Sequence, residues 1–302
     1  MRRLIPPLAA LLLVAGGCAP PRTGSLGPAP VAPSTSATVP AGAGPSTGAP
    51  VPASPSSRAA TAGTPTGSGT PAAASREPVG TVSVQLWFVR AGRLAPTRRA
   101  LPATVATSHL ALDALAAGPS AAESATGLTT LVPAGTRVTR IADGVATLVP
   151  PAGFDAGGTV AARTRRAQVV WTLTQFPTVR RVAFAPAGAA TGRDDYADLL
   201  PAIVVTAPVI GEHVGSPVTV TGTADVYEAT VSARVLDAAG RQVGAAFTTA
   251  SCGSGCRGAY RLTVRYRGVA PGGGVVEVFQ VSARDGSRMD VVRVPVTLTS
   301  TG

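Results

Sequence analysis

The sequence predicts an α+β domain, a small sheet with two helices on one face, followed by an all-β sandwich. Three observations lead there. The run TVSVQLWFVRAG, from Thr81, places Val82, Val84, Leu86 and Phe88 on one face, the two-residue period of a half-buried strand. Two stretches of helical periodicity follow it. Beyond Ile203 that periodicity disappears, and seven β-rich runs recur between Gly, Pro and Asp turns, the spacing of a seven-strand sandwich.

Each element has its own signal. The first strand ends in a turn at Ala91-Gly92. After Leu101 a helix is expected, with Ser108 as N-cap, Leu112, Leu115 and Ala116 as one stripe, and Gly118-Pro119 as the stop. Strands over 137–142 and 145–149 are joined by Asp143-Gly144, a dipeptide suited to a two-residue hairpin turn. Residues 158–184 supply the longest helix and a closing strand. In that helix Ala167, Val170, Trp171 and Thr174 recur at i, i+3, i+4 and i+7, Arg163 and Arg166 share the opposite side, and Pro177 ends it. Trp171 reads as a core or interface residue. The order strand, helix, strand, strand, helix, strand places both helices on one face of the sheet. The sandwich runs are 203–206, 217–221, 230–236, 242–249, 259–266, 275–282 and 291–298, the last two flanking Asp285-Gly286.

Ahead of these domains, residues 1–17 read as a secretory signal. Arg2 and Arg3 form a basic n-region, Leu4 to Val14 are apolar but too short for an ordinary membrane span, and Ala15-Gly16-Gly17 are small residues before Cys18. This resembles a bacterial lipoprotein lipobox, which implies lipidation at Cys18 and a lipid anchor on the extracellular face of the cell membrane. Residues 18–78 are Pro, Ala, Ser, Thr and Gly with almost no large apolar side chain, so a disordered tether is expected. Its reach lies between about 40 Å as a coil and about 190 Å fully extended. The two folded domains then occupy 79–200 and 201–302.

Composition excludes several functions. The formal charge of +11 on 302 residues is spread thinly, without the concentrated basic stripe and aromatic platforms of a nucleic-acid binder. Arg is the basic residue throughout. Lys is absent, which removes a P-loop lysine, a Schiff-base lysine and a Ser-Lys pair. An aromatic content of 4% argues against sugar-stacking platforms. With Cys18 consumed by lipid, Cys252 and Cys256 form an even pair in an exported chain and are expected to bond, two free thiols being the alternative. A metal at C-x-x-x-C needs further ligands, and the only histidines, His109 and His213, are distant in sequence. Neither histidine has a nucleophile elbow or an ordering carboxylate, so both read as structural or surface residues. Asp194, Asp195 and Asp198 lack the pattern of a calcium loop and read as a solvated linker. Asp225 and Glu228 read as solvated strand-end positions. Arg163, Arg165, Arg166 and Arg180-Arg181 are the candidates to meet anionic wall polymers, a merely solvated charged helix face being the usual alternative. No cofactor, no metal and no enzymatic activity is expected.

Several blocks carry a family resemblance. WFVRAGRL at Trp87 to Leu94, ALDALAAGPS at Ala111 to Ser120, GLTTLVPAGT at Gly127 to Thr136 and RAQVVWTLTQFPTV at Arg166 to Val179 look like the GerMN domain. The resemblance covers most of 79–200 and implies a fold similar to ring-building modules of secretion-type assemblies, with no catalytic residues to carry over. SPVTVTGTADVYEATV at Ser216 to Val231, GAYRLTVRY at Gly258 to Tyr266 and VFQVSARDGS at Val278 to Ser287 resemble Gmad2, an immunoglobulin-like domain of spore-germination proteins. Carriers of these domains include sporulation and spore-germination lipoproteins and actinobacterial lipoproteins associated with two-component sensors. The resemblance therefore implies a non-enzymatic binding or scaffolding lipoprotein of the cell envelope, with envelope proteins or wall polymer as partners. The alternative is an accessory regulatory subunit of a sensor kinase. Self-association is an expectation by analogy with the ring-building fold.

Overall fold

The computed structural model describes residues 80–186 and 188–299. The signal segment, Cys18 and the 18–78 tether lie outside them. Strand β1 (Thr81–Arg90) turns at Ala91-Gly92 into β2 (Arg93–Pro102), paired from Thr81 with Pro102 to Arg90 with Arg93. The sequence analysis has no strand at β2, because Pro96 and the adjacent Arg98 and Arg99 break its alternation. Pairing with β1 imposes the extended conformation, and an edge strand tolerates proline.

Helix α1 (Thr107–Ala117) has Ala106 as N-cap and ends at Gly118, whose N–H bonds the Leu115 carbonyl. The expected cap, Ser108, is instead a buried residue of the first turn. A short helix, α2 (Ala121–Ser124), opens with a capping box: Glu123 Oε2 accepts the Ser120 N–H at 2.6 Å and Ser120 Oγ accepts the Glu123 N–H at 3.3 Å. Strands β3 (Arg137–Ala142) and β4 (Val145–Val149) flank Asp143 at φ 52° and Gly144 at φ 79°, the conformation that favours Asp-Gly in a two-residue hairpin turn. Helix α3 (Gly158–Leu173) leads to β5 (Arg181–Phe184), parallel to β4.

The strands of this domain form two sheets, β1-β2 and β3-β4-β5, where the sequence analysis has one. The second edge of β1 is met at Gln85 and Trp87 by side chains of α3 and the turn after it, and at Val89 by the backbone of Thr129, with no further strand among the described residues. One core joins the pieces: Leu86 and Phe88 of β1, Leu112 and Leu115 of α1, Val169 and Leu173 of α3, and Leu148 and Val182 of the second sheet.

The second domain has two sheets. One is ordered β10 (Gln242–Thr249), β9 (Thr230–Leu236), β12 (Gly272–Val281), β13 (Arg288–Leu298), β7 (His213–Val214); the other is β11 (Gly258–Val264), β8 (Val218–Ala224), β6 (Ile203–Ala207). All seven expected runs are strands. The two-residue β7 adds a parallel pairing to β13. Alternation explains the core, since Val231, Ala233 and Val235 of β9 point inward with Val276 and Val278 of β12.

Strand β6 belongs to both domains. Ile203 and Val205 enter the sandwich core while Val204, on the opposite face, enters the core of the first domain. Arg98 Nη2 donates to the Thr206 carbonyl at 3.1 Å, and Arg93 donates to the Asp198 carbonyl.

Candidate functional site

Helix α3 organises the first domain through polar side chains on its buried side. Gln168, Thr172 and Gln175, spaced i, i+4 and i+7, lie along the free edge of β1. Gln168 Nε2 donates to the Trp87 carbonyl at 2.9 Å, and its Oε1 accepts the Leu131 N–H at 2.9 Å. Thr172 Oγ1 accepts the Trp87 N–H at 3.1 Å. Gln175 accepts the Gln85 N–H and donates to the Gln85 carbonyl, both at 2.8 Å. The helix thereby satisfies strand backbone groups that burial would otherwise leave unpaired.

At the C-terminal end of α3 an open cleft of about 600 Å³ is lined by Thr174, Gln175, Phe176, Arg180, Arg181 and Arg193, with Asp194 and Asp195 also on its wall. Two antiparallel segments bring the arginines together, for Val182 and Thr191 exchange backbone hydrogen bonds at 2.8 Å. Arg193 stacks on Trp171, 4.7 Å from the ring centroid, and its Nε donates to Thr174 Oγ1 at 2.8 Å. Burial pushes its pKa below the ordinary guanidinium value. Arg180 lies over the β3–β4 turn, donating to the Asp143 carbonyl at 3.0 Å. A Cβ at Gly144 would stand 2.6 Å from that guanidinium, so glycine serves both the turn and the packing. Trp171 in turn packs on Trp87, with ring centroids 4.6 Å apart. Both indole N–H groups are buried without an acceptor among the described residues.

The basic groups singled out by sequence separate here. Arg165 is buried and donates at 2.7 Å to the Leu131 carbonyl and at 3.1 Å to that of Ala156, and also to that of Phe154. This removes it from any surface patch. Arg163 makes a bidentate pair with Asp198, at 2.7 and 2.8 Å, and Arg166 pairs with Asp155 at 2.9 Å. Asp194, Asp195 and Asp198 are exposed, as the sequence reading has them, but the same contact shows that the stretch is not a plain linker. These residues form a 3-10 turn docked on α3, with Tyr196 buried beneath. Of the expected group, Arg180 and Arg181 alone meet neither a carboxylate nor a buried carbonyl cluster among the described residues, and Arg193 joins them at the cleft. Sequence reasoning missed Arg193 because nothing local distinguishes it; tertiary contact with Trp171 does.

The other singled-out residues lie apart. His109 is half-buried in α1 and His213 is exposed on β7. Asp225 accepts the Gly255 N–H at 2.9 Å, and Glu228 is exposed in a 3-10 turn. Cys252 and Cys256 are joined, with Cα atoms 5.7 Å apart. In the second domain Glu277 is fully buried between two arginines: Arg234 Nε lies at 2.5 Å and Arg293 Nε at 2.8 Å. Burial pushes its carboxyl up, but Arg234 and then Arg293 outweigh that and hold it below the usual carboxylate range.

Fold and site together define a chain with an α+β module on a polar-edged helix, followed by a β-sandwich. Residues 80–190 match the family Germane, described as sporulation and spore germination, and residues 202–287 match Gmad2, described as the immunoglobulin-like domain of bacterial spore germination. The chain thus carries a GerMN-type domain followed by a Gmad2 domain. Among solved structures it is similar to the first GerMN domain of the sporulation protein GerM from Bacillus subtilis. That identity is 23%, over 36% of this chain and 86% of the other, with TM-score 0.31. The tandem GerMN domains of the same protein give 17% identity over 74% of this chain and 62% of theirs, with TM-score 0.33. CopC from Methylosinus trichosporium OB3b gives 20% identity over 33% and 96%, with TM-score 0.21. No curated protein matches the sequence.

Proposed function

We propose that this chain is a non-enzymatic, lipid-anchored scaffold on the outer face of the cell membrane, where its two domains bind envelope proteins or wall polymer. The observation that supports the reading is the tandem of two sporulation and germination domains behind the Cys18 segment. A disulfide between Cys252 and Cys256 fits such an oxidising location. On this reading the 18–78 segment, rich in Pro, Ala, Ser and Thr, serves as the spacer between anchor and domains.

The test is fractionation with proximity crosslinking in intact cells. The wild-type chain is expected in the membrane fraction and accessible to external protease, and Cys18→Ser moves it to the soluble fraction. A chain that stays membrane-bound after Cys18→Ser sinks the anchor. Wall-synthesis or septal proteins, or self-contacts, among the captured species support the scaffold. A sensor kinase there instead assigns the chain to the regulatory role.

A further inference from the structure

We propose that the cleft at the C-terminal end of α3 is an oxyanion-binding site, taking a compact phosphate or carboxylate group carried on a larger ligand. The proposal is independent of the anchoring and scaffold reading above. Its basis is the convergence of three arginines without an ion-pair partner on one cleft. Arg99, Arg163, Arg166, Arg234, Arg241 and Arg293 each meet a carboxylate at ion-pair distance. Arg180, Arg181 and Arg193 line one cleft and meet none among the described residues.

Two of the three are nonetheless held in place, by neutral groups. Arg193 is fixed by Thr174 Oγ1 and by the face of Trp171, and Arg180 by the Asp143 carbonyl over Gly144. A positioned guanidinium without an ion-pair partner presents paired N–H donors in a planar fork, which matches the geometry of carboxylate and phosphate oxygens. Arg181 is exposed beside them and completes the cluster.

Two acidic residues narrow the ligand. Asp194 and Asp195 share the cleft wall, and Asp195 Oδ2 is occupied by the Gly192 N–H at 2.7 Å. Their charge opposes a diffuse polyanion lying across the opening, and favours a compact terminal group that reaches the guanidiniums directly. A cleft of about 600 Å³ that opens to solvent leaves room for such a group with the rest of the ligand outside.

The two tryptophans of the chain, Trp87 and Trp171, both belong to the stack under Arg193, so emission reports on the site without a label. Full-length protein carrying Cys18→Ser is titrated with tripolyphosphate and, separately, with citrate at constant ionic strength, read by calorimetry and tryptophan emission. A saturable response is expected, tighter for tripolyphosphate if the natural group is a phosphate and tighter for citrate if it is a carboxylate. Arg181→Gln is expected to weaken binding at least tenfold with an unchanged unfolding midpoint, since its side chain is exposed and the replacement keeps its aliphatic stem. Arg284→Gln, in the second domain, leaves the titration unchanged. No saturable response to either anion, or an affinity lowered less than tenfold in Arg181→Gln, overturns the proposal.

Discussion

Gln168 holds the backbone of Trp87: its Nε2 donates to the Trp87 carbonyl at 2.9 Å while its Oε1 accepts the Leu131 N–H at the same distance. One fully buried amide thus ties a helix, a strand and a loop together. Replacing Gln168 with Leu keeps the volume but strands two buried backbone groups, each worth about 1–3 kcal/mol. Denaturant unfolding is expected to show a loss of about 3 kcal/mol for Gln168→Leu and a smaller one for Thr172→Val. An unaltered midpoint in both would remove the edge-capping role of α3.

Glu277 supplies a pH dependence with a definite sign. Its pKa is depressed in the folded protein, so its contribution is fully present above the unfolded value of about 4.3 and is lost as pH falls through the folded value. Glu277→Gln leaves Arg234 and Arg293 uncompensated and is expected to cost about 3 kcal/mol at neutral pH. The variant should also lose less stability than wild type between pH 5 and about pH 2. Parallel acid limbs would show that other carboxylates carry that dependence.

Gly222 is required by contact rather than by conformation. A Cβ there would stand 1.9 Å from the Val204 carbonyl and 2.6 Å from the Tyr260 hydroxyl, within the sheet that also joins the two domains. Gly222→Ala should lower stability by about 3 kcal/mol through overpacking. Gly272→Ala, where nothing lies within 4 Å, should stay within about 0.5 kcal/mol of wild type. Thermal melts of the two variants give the comparison, and equal shifts would contradict the geometry.

Cys252 and Cys256 close a short loop between β10 and β11. By loop-closure entropy, replacing both with serine should cost about 2 kcal/mol. Mass spectrometry after alkylation without reductant should find both sulfurs protected; alkylation at either position would show free thiols.

The legibility of the chain differs sharply between its halves. The sandwich strands were readable because one face is core and the other solvent, so alternation marks them directly, as in Val231, Ala233 and Val235. Residues 137–142 and 145–149 were readable to the residue because Asp143-Gly144 pins the turn. Strand β2 was not, since its conformation is imposed by pairing. Helix α3 was readable, and Ala167 and Val170 of its apolar stripe are buried, but hydrophobic periodicity carries no signal for Gln168 and Thr172, polar residues that are fully buried against β1.

What the sequence by itself determined is the architecture: two domains, their order, most strands and helices, and the two cysteines available to pair. These follow from local periodicity and turn chemistry, which a single segment carries. Tertiary structure alone decided which charges are spent and which are free. Arg163, Arg165 and Arg166 are adjacent in sequence, yet they meet a carboxylate, three carbonyls and a second carboxylate, while Arg193, from a separate loop, joins Arg180 and Arg181 at an open cleft. The physical reason is that a guanidinium's partners are set by which distant segments pack against it, and packing distance is not encoded in the spacing of neighbouring residues.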